Sequence, residues 1–293
     1  MIKPDWIAVD WGTSNMRAWA MSNGGEILAE ARSDLGMGDL TPDQFEPALR
    51  DALAGWEVAV PIIACGMVGA RQGWVEADYA AVPCSPTPAG FTQPNSALDV
   101  HIIAGLKQPE PADVMRGEET QIAGFLALNK NWDGVICLPG THTKWAHVSA
   151  DEIVSFQTFM TGDLFAAIGD QTVLKHSVMT DGWDADAFDA GVTDAMARPE
   201  RIAARMFSLR AEGLLNGMSN ATARARLSGL LIGAELAGAK PYWLGQQIAV
   251  IGAGPLAALY VRALELQAAP AMQVKADAIT LAGLHAAYKR FKG

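Results

Sequence analysis

The feature that most constrains this fold is a short pattern that occurs twice in the chain. An apolar strand ends in a Gly-Thr turn, a further hydroxyl and a cation follow, and a second strand leaves, first at residues 7–19 and again at residues 134–149. The pattern predicts a β-hairpin with a polar tip at each place. Gly12-Thr13 aligns with Gly140-Thr141, and Arg17 falls near Lys144.

The two copies lie about one domain length apart, which indicates an internal duplication. We therefore predict two similar α/β domains, residues 1–130 and 131–293, whose turns face one another across a cleft. The last helix is left free to pack back on the first lobe. An ordinary hairpin explains one such turn, but two matching turns favour a shared phosphate-binding role.

The first turn has the chemistry of a phosphate site. Gly12 has no Cβ, so the backbone can approach a ligand, and Thr13 and Ser14 offer hydroxyl donors beside their N–H groups. Asp10 stands at the end of the strand, where a single carboxylate can hold hydrated Mg²⁺ together with nucleotide phosphates. In the second copy Gly140, Thr141 and Thr143 are the corresponding candidates.

Two further stretches of the first half carry candidate groups. Arg71 lies between Gly69 and Gly73 after a strand at 62–65, where an arginine can bind a carboxylate or phosphate bidentately, although a solvated loop arginine is the alternative. Glu118 and Glu119 precede a helical apolar pattern that runs to about residue 128. They either stabilise the helix dipole or supply a base for a substrate hydroxyl.

The second half predicts helices and one nucleotide-contacting turn. A helix starts at Thr161 or Asp163, residues 180–198 form a solvated helical surface, and residues 224–239 form a core helix with small residues. The segment IAVIGAGPLAAL gives a strand, a Gly-Ala-Gly turn and a helix opened by Pro255. It resembles a dinucleotide fingerprint, which leaves a dehydrogenase as an alternative, but too little chain follows for a full Rossmann fold.

Composition limits the class of partner. The net charge of −10 argues against general nucleic-acid or anionic-membrane binding, so an anionic ligand must be met by local cations. The three cysteines are far apart and suggest a reducing cytoplasm. No leader or membrane-spanning segment is evident, and we expect a cytoplasmic protein without a membrane partner. A homodimer is left open, because Trp183 and Trp243 are either exposed aromatics at an interface or core residues.

Together these motifs resemble the sugar kinase, actin and Hsp70 superfamily. Within it, the segments CGMVGARQGW, RGEETQIAG, PGTHTKW, TFMTGDL and SGLLIGAE are similar to the 2-dehydro-3-deoxygalactonokinase family. The resemblance covers nearly the whole chain. It implies an α/β fold of two duplicated ribonuclease H-like domains, the actin-like ATPase fold, with an ATP cleft between them.

The resemblance also implies an activity: ATP-dependent phosphorylation of the sugar acid 2-dehydro-3-deoxy-D-galactonate at its 6-hydroxyl, with Mg²⁺. The implied catalytic residues are Glu118, Glu119 and Asp10, with Asp10 as the metal ligand. The implied ATP-binding residues are Gly12, Thr13, Ser14, Arg17, Gly140, Thr141, His142, Thr143, Lys144, Gly252, Ala253 and Gly254. The implied sugar-acid-binding residues are Gly66, Met67, Val68, Arg71, Trp74, Arg116, Thr161, Gly162 and Asp163.

Two departures from the superfamily pattern matter. Leu138-Pro139 replace an Asp that often begins the second phosphate turn, so the cation rests mainly on Asp10. Asp163 stands where many relatives have Glu, which shortens the reach of that carboxylate. Phosphorylation of another sugar acid or sugar, and a nucleotide-binding regulator without turnover, remain the alternatives.

Overall fold

The chain forms two compact units in a computed structural model that describes residues 1–252 and 254–293. Unit 1 consists of Met1–Asp133, Val148–Ser155 and Ala276–Gly293. Unit 2 consists of Gly134–His147 and Phe156–Lys275. Each unit has its own sheet and its own buried core.

The strands are short and mostly buried where they pass through a core. They are β1 (Trp6–Trp11), β2 (Met16–Met21), β3 (Ile27–Ser33), β4 (Ile62–Cys65), β5 (Tyr79–Ala81), β6 (Phe91–Thr92), β7 (Val100–Ile103), β8 (Gly105–Gln108), β9 (Asp113–Met115), β10 (Gly134–Leu138), β11 (Thr143–Ser149), β12 (Glu152–Phe159), β13 (Ile248–Ile251) and β14 (Ala271–Val274).

The helices are concentrated in the second half of the chain. They are α1 (Phe45–Ala52), α2 (Glu118–Leu128), α3 (Thr161–Gln171), α4 (Lys175–Val178), α5 (Ala185–Ala197), α6 (Ile202–Asn216), α7 (Asn220–Gly238), α8 (Lys240–Trp243), α9 (Gly254–Glu265) and α10 (Ala276–Lys292). Short 3-10 turns cover Met37–Asp39, Pro42–Gln44, Met67–Gly69 and Pro199–Arg201.

The main sheets of the two units have corresponding orders over five strands, and the sheet of unit 1 has β6 as a sixth. In unit 1 the order is β3-β2-β1-β4-β7-β6, and in unit 2 it is β12-β11-β10-β13-β14. In unit 1, β1 is antiparallel to β2 and parallel to β4, while in unit 2 β10 and β13 are parallel. Both hairpins therefore have the same place in their sheets. This repeated arrangement confirms the predicted α/β fold with duplicated domains.

Helix α10 packs on α2 within unit 1, and small residues make that packing close. A Cβ placed on Gly283 would lie 1.9 Å from the carbonyl oxygen of Thr120, and one on Gly124 would lie 1.9 Å from that of Ile279. Gln121 also donates to the Thr280 hydroxyl at 3.4 Å. The start of α2, which carries the paired glutamates, is thus supported by the last helix of the chain.

One expectation about surface residues is wrong, and one open alternative is decided. Residues 180–198 are not simply a solvated surface, because α5 packs on α7 and buries Phe188 and Val192 completely. Gly229 of α7 allows this contact, since a Cβ there would lie 2.1 Å from the Phe188 carbonyl oxygen. Trp243 is a core residue with 2% exposure, whereas Trp183 is 42% exposed.

Among the described residues, no helix combines the length and the hydropathy that crossing a bilayer requires.

Candidate active site

The first turn of unit 1 presents a carboxylate and two exposed hydroxyl residues. The Gly12 N–H donates to the Asn15 carbonyl at 2.9 Å, which closes the turn and leaves Thr13 and Ser14 exposed. Asp10, at the end of β1, is partly exposed and accepts from the Arg17 guanidinium at 2.8 Å. Arg17 also pairs with Asp277 at the start of α10.

Three loops of unit 1 meet beside Asp10. Gly66 follows β4 with φ of +93°, and a Cβ on it would lie 2.7 Å from the Trp11 carbonyl oxygen and 3.5 Å from an Asp10 carboxylate oxygen. A Cβ on Gly117 would lie 3.3 Å from the Gly66 Cα. The ends of β1 and β4 and the start of α2 therefore converge, because glycine at both positions lets the backbones approach.

The paired glutamates differ in exposure. Glu118 is half-buried and accepts the Arg116 N–H at 3.0 Å. Glu119 has no exposed surface and accepts the Gly117 N–H at 2.6 Å. Burial, followed by the nearby Glu118 charge, raises the pKa of Glu119 to about 8. Glu119 is therefore mostly protonated near neutral pH, and Glu118 is the carboxylate that solvent can reach.

The candidate arginines also separate by burial. Arg71 is exposed in the loop after the Met67–Gly69 turn. Arg116 is 8% exposed, donates to the Ala77 carbonyl at 2.6 Å and lies over the Tyr79 ring at 4.2 Å. Among the described residues, its Nε and Nη1 have no hydrogen-bond partner.

Two residues predicted to bind the sugar acid lie in the core of unit 1. Val68 has no exposed surface, and Trp74 packs its ring against Phe45 at a centroid distance of 5.8 Å and against Trp11 at 6.3 Å. Their contacts are structural, since both belong to the core below the loop. Met67 is half-buried, and Gly66 contributes backbone beside Asp10.

In unit 2 the second turn is packed against the start of α3. A Cβ on Gly162 would lie 2.4 Å from the Gly140 carbonyl oxygen, and the Asp163 N–H donates to the Thr141 carbonyl at 3.0 Å. The Asp163 carboxylate lies 2.9 Å from Nε2 of His142. The structure thus places the Thr161–Asp163 segment, predicted to bind the sugar acid, directly on the predicted phosphate turn.

A cavity of about 870 Å³ opens in unit 2 next to this turn. Its wall is mostly apolar, with a few polar groups. It is formed by Gly140, Thr141, Thr161, Gly162, Phe165, Ala166, Asp181, Trp183, Arg224, Ser228, Leu231, Ile232, Pro255, Leu256, Ala258, Leu259 and Tyr260. A largely apolar cavity with phosphate-type donors at one end has the character of a nucleotide pocket.

The Gly-Ala-Gly turn contributes to this cavity through the start of α9. The Gly252 N–H donates to the Val274 carbonyl at 3.0 Å, and Gly254 begins α9 with φ of +73°. Pro255 and Leu256 line the cavity directly. Ala253 was predicted to bind ATP and lies outside the described residues.

Thr143 and Lys144 are less accessible than the sequence-based role suggests. Lys144 is 5% exposed, and Thr143 is fully buried, with its hydroxyl 2.8 Å from that of Tyr260. The Tyr260 hydroxyl in turn donates to Glu235 at 2.6 Å. Glu235 is a buried acid that sequence analysis assigned only to a core helix. An acid inside the otherwise apolar segment LSGLLIGAELAG was the available signal.

The chemistry of the first turn fits a magnesium ion. Asp10 is a partly exposed carboxylate beside hydroxyl and amide donors, and Mg²⁺ bound with nucleotide phosphates needs only one or two protein carboxylates. Within the described part of the chain, no group of three or more His, Cys, Asp or Glu side chains forms a metal cluster. Asp10 is therefore the residue that would hold the ion together with phosphate oxygens.

The repeated hairpin sheets, the acids at the start of α2 and the unit 2 cavity are the features that the resemblance to the sugar kinase and actin-like superfamily implies. A profile of the 2-keto-3-deoxy-galactonokinase family matches residues 10–287, and the chain belongs to this family. This finding confirms the sequence-based assignment and does not favour the dehydrogenase alternative.

Alignments with similar proteins cover nearly the whole chain. A Rhizobium meliloti protein named as a probable 2-dehydro-3-deoxygalactonokinase is 42% identical over 96% of this chain and 95% of its own length. The Escherichia coli 2-dehydro-3-deoxygalactonokinase is 32% identical over 95% of this chain and 96% of its own length. A Sinorhizobium meliloti crystal structure is described as that of a candidate 2-dehydro-3-deoxygalactonokinase. It has a TM-score of 0.90 at 41% identity, and the match covers 97% of this chain and 96% of that chain.

Proposed function

We propose that the protein transfers the terminal phosphoryl group of ATP to the 6-hydroxyl of 2-dehydro-3-deoxy-D-galactonate. The product is 2-dehydro-3-deoxy-6-phosphogalactonate. Family membership and relatives named for this activity at 42% and 32% identity support the reaction class. The observation that carries the proposal is the half-buried Glu118 at the start of α2, close to the end of β1 that carries Asp10.

Unit 2 is the proposed binding unit for ATP. The apolar wall formed by Phe165, Trp183 and Leu256 suits adenosine, while Gly140 and Thr141 at the same cavity suit phosphate oxygens. Trp183 is 42% exposed, so its ring is available to stack on a base.

Asp10 is the proposed ligand for Mg²⁺. Magnesium bound to the phosphates would neutralise their charge and make the terminal phosphorus easier to attack. Arg17 holds one Asp10 oxygen at 2.8 Å and is itself tied to Asp277, so we assign it the role of orienting this carboxylate. Thr13 and Ser14 remain exposed and can donate to phosphate oxygens.

Glu118 is the proposed general base. A base must be ionised and must reach the hydroxyl proton, and Glu118 is the accessible member of the pair. Glu119 is buried, and its pKa of about 8 keeps it largely neutral at pH 7. Glu119 therefore orders the turn before α2 through its bond from the Gly117 N–H.

Arg71 is the proposed partner of the substrate carboxylate. It is exposed in the loop beside Gly66, whereas the side chain of Arg116 is buried below that loop. Arg116 instead lowers the pKa of Glu119 through its charge, against the larger opposite effect of burial.

The three cysteines form no disulfide, which favours a reducing compartment, and we propose a cytoplasmic location.

An ADP-release assay tests the function directly. The purified protein is given ATP and Mg²⁺ with 2-dehydro-3-deoxygalactonate, its gluconate epimer, other 2-keto-3-deoxy sugar acids, and neutral hexoses. We expect ADP release with the galactonate compound and little with neutral sugars. Turnover on a neutral hexose and on no acid would overturn both the substrate and the role of Arg71.

A further inference from the structure

Glu235 is a buried acid at the centre of unit 2 that the proposed reaction does not use. It lies in α7, is 3% exposed and accepts hydrogen bonds from three side chains on three different elements, while Thr143, on the same strand as Trp145, adds a fourth. Trp145 Nε1 donates at 2.7 Å and the Tyr260 hydroxyl at 2.6 Å. The third donor is the hydroxyl of Thr161.

The three donors come from three elements around the nucleotide cavity. Trp145 lies on β11, which leaves the Gly140–Thr141 turn, and Thr161 is the first residue of α3. Tyr260 lies on α9. Thr161 and Tyr260 also line the cavity. One carboxylate therefore joins α3 and α9, which both line the pocket, to β11, which follows the lining turn Gly140–Thr141.

The cost of burying this group indicates a specific role. Its described donors are all neutral, and a carboxylate in an apolar interior is expensive unless it is well hydrogen-bonded. An apolar residue of similar size would satisfy packing without that cost. The acid instead fixes three donors in one geometry, which a fully satisfied buried network does well.

The contact between α3 and the phosphate turn would transmit any movement. Gly162 follows Thr161 and is pressed on the Gly140 carbonyl oxygen, so that even a Cβ would come within 2.4 Å. The next residue, Asp163, donates its N–H to Thr141. If Thr161 is released from Glu235, the first turn of α3 loses its anchor, and with it the support of the Gly140–Thr141 turn.

We propose that Glu235 is a positioning residue for nucleotide binding. By holding Trp145, Thr161 and Tyr260 together, it fixes β11, α3 and α9 around the base and phosphates. This inference rests on the proposed function only in taking the unit 2 cavity as the ATP pocket. Glu235 itself contacts protein donors and acts through them.

Substitution of Glu235 tests the proposal by separating nucleotide affinity from turnover. For Glu235→Leu we expect the KM for ATP and the calorimetric Kd for ADP to rise roughly tenfold or more, about the value of one buried hydrogen bond. The KM for the sugar acid and kcat should stay within about twofold. Glu235→Gln should lie nearer to wild type, because the amide oxygen can still accept from Trp145 and the hydroxyls can reorient.

Tyr260→Phe and Trp243→Phe complete the design. Tyr260→Phe keeps the ring and removes one donor, so it should raise the Kd for ADP even if Glu235→Leu fails to fold. Trp243→Phe removes a comparable buried bond, from Nε1 to the Leu236 carbonyl at 2.8 Å, outside the cavity lining. It should lower the unfolding temperature and leave ADP binding unchanged.

The results distinguish the two proposals. The inference is overturned if folded Glu235→Leu binds ADP as tightly as wild type. It is equally overturned if the two single variants Glu235→Gln and Tyr260→Phe both bind ADP as tightly as wild type. It is also overturned if Trp243→Phe and Tyr260→Phe lower the unfolding temperature equally and also raise the Kd for ADP equally. Failure of the wild-type protein to bind either ATP or ADP would instead overturn the proposed function, and the inference with it.

Discussion

The two units repeat one hairpin, yet they place their acids differently. In unit 1 the first strand ends in the partly exposed Asp10, and Glu118 stands half-buried at the start of a helix. In unit 2 the corresponding strand ends at Leu138, which Pro139 follows, and the acid of interest, Glu235, is buried in a helix.

This difference shows how a duplicated fold can divide its work. An acid at a loop or helix start can reach metal and substrate, whereas an acid enclosed by neutral donors can only hold protein groups in place. In the proposed function, unit 1 accordingly supplies the chemical groups of the reaction, and unit 2 supplies the nucleotide cavity. Variants in each unit should therefore change different kinetic parameters.

Glu118→Gln should break the chemistry assigned to unit 1. We expect kcat to fall roughly a hundredfold to ten-thousandfold, the range for loss of a general base, with ADP affinity unchanged. Glu119→Gln should cost much less, because that side chain is buried and mostly neutral already. Steady-state kinetics with calorimetry measure both variants. A larger loss for Glu119→Gln would assign the base to Glu119.

Arg71→Ala should sharpen the comparison by affecting only sugar-acid recognition. A hydrogen bond to a charged group is worth about 1.5–3 kcal/mol, so the KM for the sugar acid should rise roughly ten- to a hundredfold. The KM for ATP should not change. Arg50→Ala is a suitable control, since Arg50 is also a cation of unit 1 but pairs with Glu46 on α1. Equal effects of both substitutions would refute a carboxylate site at Arg71.

Gly283→Ala should disturb the support of α2 in unit 1. The new Cβ would lie 1.9 Å from the Thr120 carbonyl oxygen, and overpacking of this kind costs roughly 1–3 kcal/mol of unfolding free energy. Gly213→Ala on α6 is the matched control, since its Cβ would have an ordinary contact at 3.7 Å. Urea unfolding compares the two. Equal stability of both variants would mean that the helices can separate without cost.

The pH dependence of unfolding free energy compares the buried acids of the two units, Glu119 and Glu235. The pKa of Glu119 is raised from 4.5 to about 8 and that of Glu235 to about 7, in both cases chiefly by burial. The folded state therefore binds more protons than the unfolded state above pH 4.5, and unfolding free energy should fall as pH rises from about 5 to 8.

Each group contributes at most about 1.4 kcal/mol per pH unit in that range. Glu119→Gln should flatten the decline up to about pH 8, and Glu235→Gln only up to about pH 7. Thermal unfolding across pH 5–9 measures this difference. Variants as pH-dependent as wild type would show that these carboxyls titrate normally in the folded protein.

Local patterns predicted much of the fold from sequence. The hairpins at both Gly-Thr turns and the helix from Glu118 to Leu128 are confirmed. These features follow from strand periodicity, turn residues and acids at a helix start, all of which act over a few neighbouring residues.

Features that depend on distant packing were not predictable in the same way. Trp74 lies in a motif of the family, yet its ring is enclosed by Trp11 and Phe45, which are remote in sequence. The partners of Glu235 lie 25 to 90 residues away along the chain. Residues 180–198 seemed polar enough for a surface, but α7 supplies glycines that bury their apolar face.

Product analysis tests the central claim most directly. The protein is incubated with ATP, Mg²⁺ and 2-dehydro-3-deoxygalactonate, and the products are followed by phosphorus NMR and mass spectrometry. We predict one ADP for each phosphorylated acid, with the phosphate ester on the 6-oxygen. Release of ADP without a phosphorylated acid, or an ester at another oxygen, would contradict the account.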